Sequence, residues 1–224
     1  MAAASLPFQK GLRIGMKKTG IMGGTFNPIH YGHLLLAESA YNQFDLDEVL
    51  FMPSKNPPHK RELFIIDEAH RAEMVRLAIA DNPHFVFSGE ELEREGYTYT
   101  ADTLEILTSR EPDTQFCFII GGDSLMQFES WRRPETILQL ACVLAAERDG
   151  MSLARAKEQI AHLNRTYNAD VRLLLVPNIE ISSHDIRERC MAGRSIRYLT
   201  PEPVRRYILE HGLYRQTSLE PSQG

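Results

Sequence analysis

Short apolar runs alternate along the chain with segments in which apolar residues recur three and four positions apart. The runs, which have the length of strands, lie at residues 19–23, 48–52, 84–88, 115–120, 141–146 and 172–176. Helical spacing, as in Ala72, Val75 and Ile79, is found at residues 31–43, 67–81, 100–110 and 151–166. This alternation predicts an α/β fold with a Rossmann-like, doubly wound parallel sheet covered on both faces.

Two further helices are predicted after the last strand, giving a single domain with C-terminal helices. They span 183–192, ending at Gly193, and 202–211, ending at Gly212, because glycine commonly follows the last helical turn. Ligands of doubly wound sheets bind beyond the carboxyl ends of the strands. Functional residues are therefore expected directly after the predicted strands.

Composition narrows the class of protein. A chain of 224 residues with 43% hydrophobic content can bury one sizeable core, and we expect one domain over 16–215, flanked by a flexible extension (1–15) and a flexible tail (216–224). No apolar stretch approaches the roughly 20 residues that span a bilayer, so no membrane role is predicted. The formal charge of −5 argues against nucleic-acid binding and limits any anion site to a local pocket.

Cysteine usage bears on the compartment. Cys117, Cys142 and Cys190 are an odd and widely spaced set, and the first two lie in apolar runs predicted to be buried strands. Reduced thiols and a cytoplasmic location are expected from this pattern.

The stretch "GIMGGTFNPIHYGH" (20–33) contains the first candidate residues of a binding site. The first strand runs into Gly23 and Gly24, and a helix is predicted from about Tyr31. Glycine allows the backbone to approach a bulky anion, and the amides of such a turn together with a helix start favour phosphate. His30 and His33 are three residues apart, so we expect them on one helix face, where their imidazoles could stabilise a phosphoryl transition state.

These residues carry a resemblance to a known family. "GGTFNPIHYGH" resembles the G-x-F-x-P-x-H-x-G-H signature of the nucleotidylyltransferase superfamily, and "ISSHDIR" (181–187) is similar to its second signature, I-S-S-T-x-I-R. His184 stands where that signature commonly has threonine. From residue 17 to 214 the chain most resembles the bacterial nicotinate mononucleotide adenylyltransferase family.

The resemblance implies adenylyl transfer from ATP to nicotinate mononucleotide in NAD biosynthesis, giving nicotinate adenine dinucleotide and pyrophosphate. His30, His33 and Arg187 are the implied catalytic residues. The implied ATP contacts are Gly23, Gly24, Thr25, Phe26, His30, His33, Gly121, Asp123, Ile181, Ser182, Ser183 and Arg187. Mg²⁺ is expected to arrive with ATP, without direct protein ligands.

Residues after other predicted strands are implied to hold the acceptor. The resemblance assigns Lys55 and His59 to its phosphate, and Tyr99, Thr100, Trp131 and Arg132 to its pyridine end. A lone tryptophan is commonly a core residue, but the polar neighbours of Trp131 and the resemblance favour stacking on the ring.

Alternatives stay open at the level of the sequence. Nicotinamide mononucleotide or phosphopantetheine could be the acceptor, and a nucleotide-binding module could keep the fold without the chemistry. The histidine pair could also bind a metal, although no nearby carboxylate or cysteine supports that reading. The sequence leaves a homo-oligomer open.

Overall fold

The computed structural model describes residues 15–55, 65–147, 152–177 and 179–215. Within these ranges the core is a six-stranded, fully parallel sheet in the order β3-β2-β1-β4-β5-β6. The strands are β1 (Lys17–Gly24), β2 (Glu48–Pro53), β3 (Phe85–Phe87), β4 (Thr114–Ile120), β5 (Ala141–Ala146) and β6 (Val171–Leu174).

Helices follow each of the strands. They are α1 (Tyr31–Gln43), α2 (Glu68–Ile79), α3 (Thr100–Arg110), α4 (Gly122–Met126), α5 (Pro134–Leu140), α6 (Leu153–Tyr167), α7 (Ser183–Met191) and α8 (Glu202–Glu210). A single 3-10 turn, Phe128–Ser130, separates α4 from α5. None of the described helices is long and apolar enough to cross a membrane.

The predicted doubly wound α/β architecture is confirmed, and the predicted strands and helices match the observed ones to within a few residues. Residue 151, the predicted start of α6, lies outside the described residues. Gly193 and Gly212 have left-handed φ values of +64° and +60°, as expected after the ends of α7 and α8. The three short elements between 122 and 140 were not predicted.

The four inner strands send alternate side chains into two hydrophobic layers, as the pleat requires, whereas Val86 of the edge strand β3 is exposed. On one face Met22 and Ile119 join α1, α2, α7 and α8. On the other face Ile21 and Phe118 join α3, α4, α5 and α6. The six-residue strand β5 is buried along its whole length, which explains why it reads as a continuous apolar run.

The strand order contains one point where the winding reverses. β1 lies beside both β2 and β4, so the chain leaving β1 runs toward one face of the sheet while the chain leaving β4 runs toward the other. A crevice opens where such connections diverge, beyond the carboxyl ends of the strands. The predicted functional residues after β1 and β4 therefore meet at the same edge.

Candidate active site

A cleft of about 430 Å³ lies at this reversal, above the carboxyl ends of β1, β2 and β4. Most of the predicted site residues line it. They are Gly23, Gly24, Thr25, Phe26, His33, Tyr99, Thr100, Gly121, Trp131, Arg132, Ser183 and Arg187. The cleft therefore brings together residues of the two signatures that are more than 160 positions apart in the chain.

The turn after β1 takes its unusual backbone conformation at Phe26. Gly23 and Gly24 still belong to the strand and are paired with Met52 and Pro53 of β2, whereas Phe26 has a left-handed φ of +48°. The Phe26 ring is buried under the turn, and a Cβ atom on Gly24 would lie 3.1 Å from it. Glycine at position 24 thus leaves room for the ring that supports the turn.

The two histidines pack against each other at the start of α1, as their spacing predicts. Their ring centroids are 3.7 Å apart, and the edge of the Phe26 ring contacts His33 at 5.1 Å between centroids. His30 is the N-cap residue, is only 4% exposed and does not line the cleft. His33 is partly exposed and is the imidazole that faces the cleft.

The hydrogen bond at His33 defines which ring nitrogen carries the proton. The backbone N–H of His30 donates to His33 Nδ1 at 3.2 Å, so Nδ1 is an acceptor and Nε2 holds the hydrogen of the neutral ring. His33 can therefore donate from Nε2 without first becoming an imidazolium ion. The His30 backbone fixes the ring orientation that this donation requires.

The loop between the turn and α1 is held by two residues of α7 and by Tyr214, which follows α8. Arg187 Nη1 donates to the Asn27 carbonyl at 2.9 Å, and Ser183 Oγ donates to the Pro28 carbonyl at 2.8 Å. The Tyr214 hydroxyl donates to Asn27 Oδ1 at 2.8 Å, and burial raises the pKa of Tyr214, which keeps it a neutral donor. The second sequence motif thus fixes the position of the first.

The second motif begins α7 and divides its side chains between the helix cap and the cleft. Ser182 is the N-cap residue, its Oγ accepts from the Asp185 N–H at 3.1 Å, and neither Ser182 nor Ile181 lines the cleft. His184 points away, with 72% of its side chain exposed and Nε2 at 3.2 Å from Glu188 Oε1. The departure from threonine at this position therefore brings no imidazole into the cleft.

Aromatic and cationic side chains also line the cleft. Trp131 stacks on Phe128 with centroids 5.2 Å apart, and it also lines the cleft. The Arg132 guanidinium lies 4.5 Å from the centre of the Tyr99 ring. Trp131 therefore packs against the core and also lines the cleft, and its stacking on a pyridine ring stays a prediction.

Two further predicted contacts, Lys55 and Asp123, do not line the cleft, and a third lies outside the described residues. Lys55 does not line the cleft, and its Nζ lies 3.7 Å from Glu68 Oε1. Asp123 is exposed in the first turn of α4, where Ser124 lines the cleft instead. His59 lies outside the described residues.

A carboxyl group that sequence reasoning missed also lines the cleft. Glu91 accepts a hydrogen bond from Thr103 Oγ1 at 2.8 Å, and burial raises the pKa of Glu91, opposed by Thr103, Thr98 and Arg94. Thr98 is 5% exposed and lines the cleft beside it. The charged run "EELERE" is typical of a solvated loop, so only the buried Thr98 and Thr103 nearby could have indicated this site.

Arg71 was missed as well, although the pattern contained a signal. It lies directly before Ala72 on the inner face of α2 and is buried, where a solvated charge is not expected.

Among the described residues, no group of three or more His, Cys, Asp or Glu side chains is arranged to bind a metal ion.

The fold and the cleft are those of the doubly wound α/β proteins that bind ligands beyond the carboxyl ends of their strands, and comparison with known proteins identifies the family. A family model described as cytidylyltransferase-like matches residues 21–189. A probable nicotinate-nucleotide adenylyltransferase of Lachnoclostridium phytofermentans is 54% identical over 199 residues, covering 89% of this chain and 100% of the relative. One of Symbiobacterium thermophilum is 44% identical, covering 89% and 96%.

A solved structure supports the fold. The Plasmodium falciparum nicotinic acid mononucleotide adenylyltransferase complexed with NaAD has a TM-score of 0.73 at 20% identity, covering 88% of this chain and 97% of that one. The chain belongs to the cytidylyltransferase-like nucleotidyltransferases and, within them, to the nicotinate-nucleotide adenylyltransferase family.

Proposed function

We propose that this chain transfers the adenylyl group of ATP to nicotinate mononucleotide, giving nicotinate adenine dinucleotide and pyrophosphate. The observation that carries the proposal is the single cleft in which the glycine turn, His33 and Arg187 lie together with Tyr99, Trp131 and Arg132. Two substrates that react with each other need this arrangement, because both must bind at once with their reacting atoms in line.

The ATP end of the cleft consists of the turn, the start of α1 and the start of α7. His33 Nε2–H and the Arg187 guanidinium are donors that suit phosphoryl oxygens. The free amides at the start of a helix add positive potential, and α7 presents its first turn beside Ser183. The backbone of the turn lies at this same part of the cleft, at Gly23, Gly24, Thr25 and Phe26.

The acceptor end consists of Tyr99, Thr100, Trp131 and Arg132. The indole of Trp131 offers an aromatic edge and face to a pyridine ring, and Arg132 offers positive charge to its carboxylate. We assign Lys55 and His59 to the phosphate of the mononucleotide. Lys55 Nζ lies 3.7 Å from Glu68 Oε1. On binding, Lys55 would exchange the Glu68 carboxylate for the phosphate of the mononucleotide.

The reaction needs no protein nucleophile. A phosphate oxygen of nicotinate mononucleotide attacks the α-phosphorus of ATP, the new P–O bond forms, and the bond to the leaving pyrophosphate breaks. The residues named above align the two anions and offset their repulsion, and such alignment can lower a barrier by about 7–11 kcal/mol. His33 donates from Nε2 to the phosphoryl oxygens as charge develops on them.

Mg²⁺ is proposed to enter bound to the phosphates of ATP. The ion usually keeps several waters and takes only one or two carboxylates when phosphates supply other ligands. The hydroxyl and amide groups of the cleft can donate hydrogen bonds to phosphate oxygens, while Mg²⁺ bound to the same phosphates would neutralise part of their charge.

The proposed setting follows from the cysteines and the reaction. Cys117, Cys142 and Cys190 are free thiols, which supports a cytoplasmic location. ATP and nicotinate mononucleotide are the proposed partners, with neither nucleic acid nor membrane.

Turnover tests this function directly. Pyrophosphate release should be measured with ATP and, in parallel, nicotinate mononucleotide, nicotinamide mononucleotide and phosphopantetheine. We expect the highest kcat/KM with the nicotinate form. If pyrophosphate were released with none of the three acceptors, the proposal would be refuted. If kcat/KM were highest with either of the other two acceptors, that compound would be the substrate in place of nicotinate mononucleotide.

A further inference from the structure

Arg71 carries a buried charge outside the residues assigned above. Its side chain is 1% exposed, and it is the only Lys, Arg, Asp or Glu among the described residues that is buried to this extent. Burying a guanidinium is costly unless its N–H groups all find acceptors. Burial lowers the pKa of Arg71, but arginine remains protonated in proteins, so the charge is retained.

Four backbone carbonyls satisfy the guanidinium, and they come from three segments of the chain. Nη1 donates to the carbonyls of Thr25 at 2.8 Å and Ser54 at 2.7 Å. Nη2 donates to the Lys55 carbonyl at 3.2 Å, and Nε donates to the Ile66 carbonyl at 3.3 Å. None of the described carboxylates forms an ion pair with Arg71.

These contacts determine the direction of two peptide groups beside the cleft. In a trans peptide the carbonyl of one residue and the N–H of the next point in opposite directions. Because Arg71 holds the Thr25 and Ser54 carbonyls, the N–H groups of Phe26 and Lys55 point away from the guanidinium. A second bond, from the Ser54 N–H to the Gly24 carbonyl at 2.9 Å, joins the same two loops.

We propose that Arg71 is a positioning residue for the transfer reaction, holding the ATP turn after β1 and the acceptor loop after β2 in fixed register. The inference rests on the proposed function, because Thr25 belongs to the ATP turn and Lys55 to the acceptor loop. Arg71 touches neither substrate. It acts through the carbonyls, and its five donors in a planar fork suit that task where lysine does not.

Arg71→Lys is the test variant, because it keeps the charge but cannot reach four carbonyls from one nitrogen. Arg71→Gln is made alongside it and keeps two donors without the charge. We expect kcat to fall on the order of 10²-fold, as misplacement by about 1 Å can cause, while the Kd for ATP stays within about threefold. Amide hydrogen exchange at Phe26 and Lys55 should accelerate.

Two control variants lie on the same helix. Arg76→Lys makes the same substitution at an exposed position, and Val75→Ala removes volume from the buried face. We expect both to keep the wild-type kcat, although Val75→Ala lowers the melting temperature. Hydrogen exchange at Phe26 and Lys55 should be unchanged in both.

The outcomes separate this inference from the proposed function. Wild-type kcat in Arg71→Lys and Arg71→Gln, or an equal loss in Val75→Ala at matched stability, would overturn the role of Arg71 while leaving the reaction intact. If wild-type protein released no pyrophosphate, the proposed function would fail. The exchange rates would then still report whether Arg71 orders the two loops.

Discussion

Replacing His33 tests the role of the imidazole that faces the cleft. His33 Nδ1 accepts the His30 N–H at 3.2 Å, which leaves Nε2 as the donor for ATP. Removing one such donor from a transition-state site costs about 10²–10³-fold in kcat, or about 2.7–4 kcal/mol. We expect a loss of this size in His33→Ala, together with about 0.5–1.5 kcal/mol of stability from the lost bond to His30.

Two further substitutions separate the nitrogens of the ring. The amide nitrogen of glutamine can take the place of Nε2, whereas the amide oxygen of asparagine can take the place of Nδ1. His33→Gln should therefore keep more of the kcat, and His33→Asn should keep more of the thermal stability. The assay is pyrophosphate release at saturating ATP and nicotinate mononucleotide, with melting temperatures measured on the same preparations.

The reasoning about His33 would be refuted by full kcat in His33→Ala. A higher kcat in the asparagine variant than in the glutamine variant would equally contradict the assignment of the proton to Nε2. ATP affinity measured without an acceptor shows whether the loss lies in binding or in turnover. We expect the larger part in turnover, because the donor acts on charge that develops during the reaction.

Three other changes are informative. Trp131→Leu should raise KM for nicotinate mononucleotide by about 2- to 12-fold, with little change in KM for ATP. Trp131→Phe should keep most of the stacking and therefore most of the affinity. Equal KM values in both variants and the wild type would exclude the ring contact. Tyr214→Phe removes the bond to Asn27 and should lower the free energy of unfolding by about 0.5–1.5 kcal/mol in urea titrations, so an unchanged midpoint would argue against that clamp. Glu91→Gln should remove a pH dependence of stability. The folded-state pKa of Glu91 is raised above its ordinary 4.5, so the wild type binds more protons when folded than when unfolded. The wild type therefore loses stability relative to the variant as the pH rises above the ordinary pKa of glutamate. Parallel wild-type and variant stability curves from pH 4 to 8 would contradict the raised pKa.

The parts of the site that could be predicted from sequence are local. The turn and His33 follow β1 within ten residues, so strand periodicity and helix spacing place them without knowledge of distant contacts. No local pattern places Ser183 and Arg187 beside this turn, because β6, the strand before them, is separated from β1 by β4 and β5. Resemblance to the family signatures then joined the two segments.

The parts that could not be predicted depend on long-range or irregular structure. Arg71 is satisfied by carbonyls 5 to 46 residues away, and no periodicity in the sequence encodes such partners. The helices α4 and α5 have only five and seven residues, too short for a helical period to show. The left-handed conformation at Phe26 is also not encoded locally, since glycine rather than phenylalanine is the residue that usually adopts it.

The proposed function requires that the turn after β1 and His33 hold the triphosphate of ATP. A crystal structure of the protein with ATP and Mg²⁺ would show whether they do. We expect phosphate oxygens within hydrogen-bond distance of His33 Nε2 and of the backbone amides between Gly24 and Phe26. A triphosphate bound beside Trp131, or outside the cleft, would show that the turn is not the ATP site.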